Sequence, residues 1–112
     1  MSTFQSAVLV AAALITSTAS VVTNAATAPA AASVQIGNFT FKNPVVTVKP
    51  GTTVTWTNAD DIPHTVVSKD GVFKSKVLDT GDRFSFTFAK PGQFGYFCSL
   101  HPHMTGTIIV KA

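Results

Sequence analysis

Two short segments alternate strictly between apolar and polar residues, and this period of two is the strongest constraint on the fold. In Thr52 to Thr57 the apolar residues are Val54 and Trp56, and in Arg83 to Phe88 they are three phenylalanines. Such alternation places one set of side chains on each face of a β-strand. Pro-Gly and Asp-Gly pairs mark turns between this kind of segment. The sequence therefore predicts β-structure with a buried aromatic face.

The remaining strands are predicted from shorter apolar segments that lie between the same turn residues. About six to eight short strands at regular spacing are typical of a β-sandwich, so the fold class is all-β. The additional predicted strands are Val34 to Phe41, Val45 to Val48, Pro63 to Ser68, Phe94 to Cys98 and Thr107 to Lys111.

Tyr96 lies two residues before Cys98 in a late strand. This position fits a tyrosine corner, in which the phenol hydroxyl bonds back to the backbone. The alternating phenylalanines and Trp56 are predicted to fill the core. We assign structural roles to all of these aromatic residues.

The first 32 residues differ in composition from the rest of the chain. They contain no charged side chain, and the run from Ala7 to Ile15 is entirely apolar. Small residues with Ala-x-Ala spacing follow between Ala25 and Ala32, as in a signal-peptide cleavage region. We predict a signal peptide and low-complexity segment over 1–32, a folded domain over 33–112, and export to the periplasm or another extracytoplasmic space. The apolar run is too short to span a bilayer, but an uncleaved anchor and a disordered tail are the alternatives.

The charge distribution argues against a nucleic-acid partner. The net charge is +3, and the lysines are spread along the chain without a dense basic run. A mild positive field can speed encounter with an acidic protein surface, although the same charge also serves ordinary solubility. The single cysteine excludes an internal disulfide.

One segment near the C-terminus concentrates the metal-binding chemistry. The seven residues from Cys98 to Met104 contain the only cysteine, two of the three histidines and one of the two methionines. Thiolate, imidazole and thioether groups together form the ligand set of a copper site with three strong ligands and a weak axial one. Cys98 ends a strand and Pro102 requires a turn, so His101 and Met104 can face the same point as Cys98. His64 then supplies a ligand from a separate strand.

From Phe39 to Val110 the chain resembles the cupredoxins, the small blue copper proteins, and is most similar to their amicyanin and plastocyanin-like branch. The resemblance implies a Greek-key sandwich with one type 1 copper. It implies His64, Cys98 and His101 as equatorial ligands, Met104 as the axial ligand, and outer-sphere electron transfer through the exposed edge of His101. The matching segments are Pro50 to Asn58, Pro63 to Val66, Gly92 to Cys98 and His101 to Gly106.

Three residues near the predicted ligands depart from the family pattern. His103 is an alternative to His101 as a ligand, but it lies too far from Cys98 for the family spacing, so we place it on the rim of the site. Thr65 stands where the family often has asparagine, and its hydroxyl is expected to make one bond between the ligand segments rather than two. Leu100 replaces a proline found in many relatives, and its N–H can reach the Cys98 sulfur.

The predicted function is single-electron transport between redox proteins by cycling of copper between Cu(II) and Cu(I). Candidate partners are a c-type cytochrome or a dehydrogenase with an acidic docking surface, and the protein itself is predicted to be a monomer. Catalysis is not expected, because Phe97 and Ser99 flank the cysteine where copper oxidases carry histidines that bridge to a second centre. Storage or delivery of copper is the alternative function.

Overall fold

The structure is a computed structural model that describes residues 30–112. The predicted signal peptide and low-complexity segment over 1–32 lies outside the described residues as far as residue 29, whereas Ala31 and Ala32 belong to the first strand. The described part forms strands connected by turns. The strands are β1 (Ala31–Gly37), β2 (Thr40–Phe41), β3 (Val45–Val48), β4 (Thr52–Asn58), β5 (Val67–Ser68), β6 (Arg83–Phe88), β7 (Gly92–Cys98) and β8 (His101–Val110).

The eight strands form two four-stranded sheets, with the orders β2-β1-β4-β6 and β3-β8-β7-β5. Both sheets are mixed, because β1 pairs with β4 and β3 pairs with β8 in parallel, whereas the other neighbours are antiparallel. The predicted all-β sandwich is confirmed. Within residues 30–112 no helix is long and apolar enough to cross a membrane.

The alternating segments bury the face that the sequence predicts. Val54 and Trp56 of β4 are fully buried, and Phe88 of β6 is buried against them, while Phe84 and Phe86 pack at the edge of the same cluster. Removing such side chains from water stabilises the fold by roughly 1.5–3 kcal/mol for each fully buried large apolar residue. The core therefore lies between the two sheets.

The segment predicted as one extended strand from Val34 to Phe41 is divided in two. Asn38 and Phe39 both have positive φ angles, 52° and 58°, and they form the turn that folds β2 back on β1. Asparagine adopts this left-handed conformation readily, but phenylalanine does so rarely. The prediction of a continuous strand was wrong because Phe39, a residue that rarely adopts this conformation, occupies one of the two left-handed positions of the turn.

The segment around His64 is less regular than predicted. Only Val67 and Ser68 form a strand, whereas His64 makes an isolated antiparallel bridge with Leu78. The His64 N–H donates to the Leu78 carbonyl at 3.1 Å, and the Leu78 N–H donates in return at 2.8 Å. The backbone N–H and carbonyl of His64 are thus both bonded to Leu78.

Tyr96 does not form the predicted tyrosine corner. Its side chain is fully buried, and its hydroxyl has no hydrogen-bond partner among the described residues. The ring packs edge-on against Phe41 and Trp56, with centroid distances of 4.7 and 5.3 Å, and lies directly over Gly106. The inward face of β7 directs this side chain into the core, away from backbone acceptors.

Candidate metal centre

The β7–β8 hairpin carries the cluster of potential ligands. Cys98 pairs directly with His101 across a two-residue turn, whereas the neighbouring pair joins Phe97 to Thr105. The register shift between these pairs leaves Pro102 to Met104 as an insertion in β8. A proline is tolerated at such a position because it has no N–H to donate to the strand ladder. The predicted tight loop is therefore a hairpin with an irregular strand, and the closing strand begins at His101 rather than Thr107.

Three donor atoms meet at the end of the sandwich. The Cys98 sulfur lies 3.7 Å from Nδ1 of His64 and 3.7 Å from Nδ1 of His101. The three atoms all lie within 4.8 Å of one another. Donors bound to one transition-metal ion at about 2.0–2.3 Å are separated by roughly 3.5–4 Å in a trigonal plane. The observed spacing and the donor types therefore fit a copper ion.

The remaining sequence-predicted site residues differ in burial and position. Met104 lies near this cluster and is buried, with 5% of its surface exposed. His101 is partly exposed, whereas Cys98 and His64 are fully buried. His103 is exposed and lies outside the donor cluster formed by the described residues.

The surroundings of Cys98 favour its thiolate form. Burial raises the pKa of this thiol, but the Thr65 N–H, the two imidazoles and the Leu100 N–H outweigh burial and lower it from 9.0 to about 6. The Thr65 N–H donates to the sulfur at 3.4 Å. Because the thiolate is the metal-binding form, the site has a competent sulfur ligand at neutral pH.

Thr65 makes more bonds between the ligand segments than the sequence predicts. Its Oγ1 accepts the Ser99 N–H at 2.7 Å and also lies 2.8 Å from the Ser99 hydroxyl. The expectation of a single bond was wrong, because the partner is a serine that offers both a backbone and a side-chain group. Thr65 thereby joins the His64 segment to the β7–β8 hairpin.

Asp60 contacts the candidate site although no sequence motif predicts it. Its Oδ2 lies 2.9 Å from Nε2 of His64 and accepts the Phe39 N–H at 3.0 Å. The Phe39 N–H and then His64 lower the pKa of this carboxyl from 3.8 to about 2, so it is ionised at neutral pH. Nε2 of His64 therefore carries the proton, and Nδ1 is free to face Cys98. The only sequence signal is an acidic residue four positions before the histidine, which is too common to predict the contact.

Comparison with known proteins identifies the family. The sequence profile of the cupredoxin-like domain matches residues 6–110 of the chain. The chain is a cupredoxin. It is 37% identical over 93 residues to amicyanin from Paracoccus versutus, an alignment that covers 78% of this chain and 70% of the relative. It is 32% identical over 88 residues to a chloroplastic plastocyanin from Tetradesmus obliquus, with coverage of 67% and 61%.

Solved structures of other cupredoxins support the same assignment. The novel purple cupredoxin from Nitrosopumilus maritimus superimposes with a TM-score of 0.68 at 35% identity, covering 71% of this chain and 99% of that one. An amicyanin variant described in its Cu(I) form gives a TM-score of 0.69 at 32% identity, covering 72% and 82%. The Greek-key sandwich, copper as the cofactor and electron transport as the function are therefore confirmed for this cupredoxin.

Two large apolar side chains of this cupredoxin are exposed near His101. Phe39 is 54% exposed, and Leu100, the residue before His101, is 47% exposed. The Phe39 ring lies edge-on to His101, with a centroid distance of 5.0 Å and an interplanar angle of 88°. Apolar side chains that a docking protein can cover therefore lie beside the partly exposed imidazole of His101.

Proposed function

We propose that His64, Cys98 and His101 bind the copper ion of this cupredoxin in a plane and that Met104 is its weak axial ligand. The observation that carries the proposal is the convergence of one thiolate and two Nδ1 atoms within 4.8 Å. Copper bound there supplies a one-electron couple, because this mixed sulfur and nitrogen donor set accommodates both oxidation states.

The protein's contribution is to hold its ligands still. The His64 backbone is bridged to Leu78, its ring is bonded to Asp60, and Thr65 bonds to Ser99 beside Cys98. Ligands fixed in this way cannot move far when the charge on the metal changes. A small reorganisation is the property that fast electron transfer requires, so these contacts support a carrier.

We further propose that electrons enter or leave through His101. It is the proposed ligand with a partly exposed ring, whereas His64 and Cys98 are fully buried. The apolar rim of Phe39 and Leu100 allows a partner to approach closely and exclude water from the contact.

The partner is proposed to be a redox protein with an acidic surface, such as a c-type cytochrome or a dehydrogenase. The net charge of +3 supports this choice, as do the exposed lysines at positions 69, 74 and 76. Opposite charge raises the rate of encounter more than it raises affinity. The uncharged N-terminal composition supports export, and we propose that the protein acts as a monomer outside the cytoplasm.

Electron transfer is favoured over catalysis and over copper delivery. The chain has three histidines, so two of them in the copper site leave only His103, which is too few for a second centre. Delivery proteins need exchangeable ligands, whereas Cys98 is fully buried. Both observations support a carrier.

Addition of Cu(II) to the purified protein tests the ligand assignment. We expect an intense blue colour from thiolate-to-copper charge transfer and a reversible one-electron wave in voltammetry. Cys98→Ala and His101→Ala should abolish the colour, whereas the matched control His103→Ala should retain it. A colourless wild-type complex, or loss of colour in His103→Ala with retention in His101→Ala, contradicts the assignment. Rapid copper transfer to a metal-free acceptor would instead support delivery.

A further inference from the structure

We propose that Asp60 is a positioning residue for the copper site: its carboxylate orients His64 and strengthens electron donation from this ligand, which stabilises Cu(II) relative to Cu(I). The inference rests on the proposed ligand role of His64. It assigns a role to a residue that belongs to none of the ligand motifs.

The contact between Asp60 and His64 has the geometry of a strong, protected hydrogen bond. Nε2 of His64 lies 2.9 Å from Oδ2 of Asp60, and the side chains are 0% and 11% exposed. The bond leaves Nδ1, the other ring nitrogen, facing the Cys98 sulfur at 3.7 Å. A carboxylate in this position fixes the tautomer and the ring orientation of a metal-binding histidine and raises its basicity.

Asp60 is itself held in place by several neighbours. Its N–H donates to Oδ1 of Asn58 at 2.9 Å, and its carbonyl accepts the Thr80 hydroxyl at 2.6 Å. Oδ2 also accepts the Phe39 N–H at 3.0 Å, from a residue in the left-handed conformation with a φ of 58°. This conformation is unfavourable for phenylalanine. The turn at Asn38 and Phe39 therefore directs the Phe39 N–H toward the Asp60 carboxylate, and this bond helps to fix the orientation of the carboxylate.

The neighbouring Asp61 provides a matched control. It carries the same charge and is adjacent in the chain, and its recorded contact with this network is its N–H, which donates to Oδ1 of Asp60 at 3.0 Å. Asp61→Asn thus removes one negative charge near the copper site while leaving the bond to His64 in place. Asp60→Asn removes the same charge from the bond itself.

The test is to measure Cu(II) affinity, Cu(I) affinity and reduction potential for the wild type and both variants. We expect Asp60→Asn to lower Cu(II) affinity by about 10–100-fold, as for other carboxylates that support a metal-bound histidine. Cu(I) affinity should fall less. For each factor of ten by which the loss of Cu(II) affinity exceeds the loss of Cu(I) affinity, the reduction potential rises by ~59 mV. Asp61→Asn should leave the potential close to that of the wild type. Equal shifts in the two variants, or no shift in Asp60→Asn, would overturn the proposal.

A second measurement on the wild-type protein keeps the proposal testable if Asp60→Asn does not fold. In the diamagnetic Cu(I) form, nitrogen NMR should show the His64 proton on Nε2, with slow exchange against solvent. A rapidly exchanging proton there would overturn the proposal. Failure of the proposed function is distinguishable, because the wild type would then lack the blue colour, whereas failure of this inference leaves colour and redox activity intact.

Discussion

Thr65 and Ser99 connect the two segments that carry the proposed copper ligands, through an N–H to hydroxyl bond of 2.7 Å and a hydroxyl pair at 2.8 Å. Loss of the threonine hydroxyl would remove the acceptor of the Ser99 N–H from a half-buried bond between buried Thr65 and exposed Ser99. We expect Thr65→Val to lower the free energy of unfolding by about 0.5–1.5 kcal/mol.

Thr65→Ser is the matched control, because it keeps the hydroxyl and removes only a methyl group. Denaturant unfolding of the copper-loaded proteins gives the free energies, and electron self-exchange rates report on the rigidity of the site. We expect slower exchange in Thr65→Val alone. Equal stability of the valine and serine variants would show that the hydroxyl does not join the segments.

Leu100 influences the copper site through its backbone. Its N–H contributes to the low pKa of Cys98, and proline would remove that donor. Withdrawal of charge from the thiolate favours Cu(I), so we expect Leu100→Pro to lower the reduction potential. Leu100→Ala keeps the N–H and should leave the potential near that of the wild type. Voltammetry that shows no change or a rise in Leu100→Pro would contradict this role.

The thiol of Cys98 predicts a pH dependence of stability in the metal-free protein. Its pKa is about 6 in the folded protein and 9.0 for an unperturbed thiol. Between pH 6 and 9 the folded state thus binds fewer protons than the unfolded state. The free energy of unfolding therefore rises with pH across this window. The contribution is fully present above pH 9 and is lost as the pH falls through 6.

The measurement is the free energy of unfolding as a function of pH, for the wild type and Cys98→Ser. The difference between the two curves isolates the thiol from other titrating groups. We expect this difference to grow in favour of the wild type between about pH 6 and 9. A constant difference would show that the thiol titrates normally in the folded protein.

Gly106 is required by the packing of Tyr96. A Cβ at this position would overlap the Tyr96 ring, whereas a Cβ at Gly95 would meet only the flexible Lys69 side chain at 3.3 Å. We expect Gly106→Ala to destabilise the protein by about 1–3 kcal/mol or more, as overpacking does. Gly95→Ala, in the neighbouring strand, should cost less. Thermal unfolding of both variants checks this order, and equal stability would contradict it.

The fold was predictable where side-chain patterns encode it locally. Alternation placed Val54 and Trp56 in the core, and the clustered donors from Cys98 to Met104 indicated the site. The bond from Asp60 to His64 was not predictable, because it depends on how a loop folds across the end of a sheet. The left-handed conformation of Phe39 was not predictable either, because its contacts in the fold impose a conformation that phenylalanine does not prefer.

In the irregular β7–β8 hairpin, the pairing register of the strands also determines where the proposed copper ligands Cys98 and His101 lie. A shift of one residue in a strand turns every side chain to the opposite face, so Cys98 would leave the interior and Phe97 would enter it. A misregistered chain could retain much of its β-structure and still lose its sulfur ligand. Copper content per molecule is consequently an assay of correct folding, sensitive to an error that secondary-structure spectroscopy does not detect.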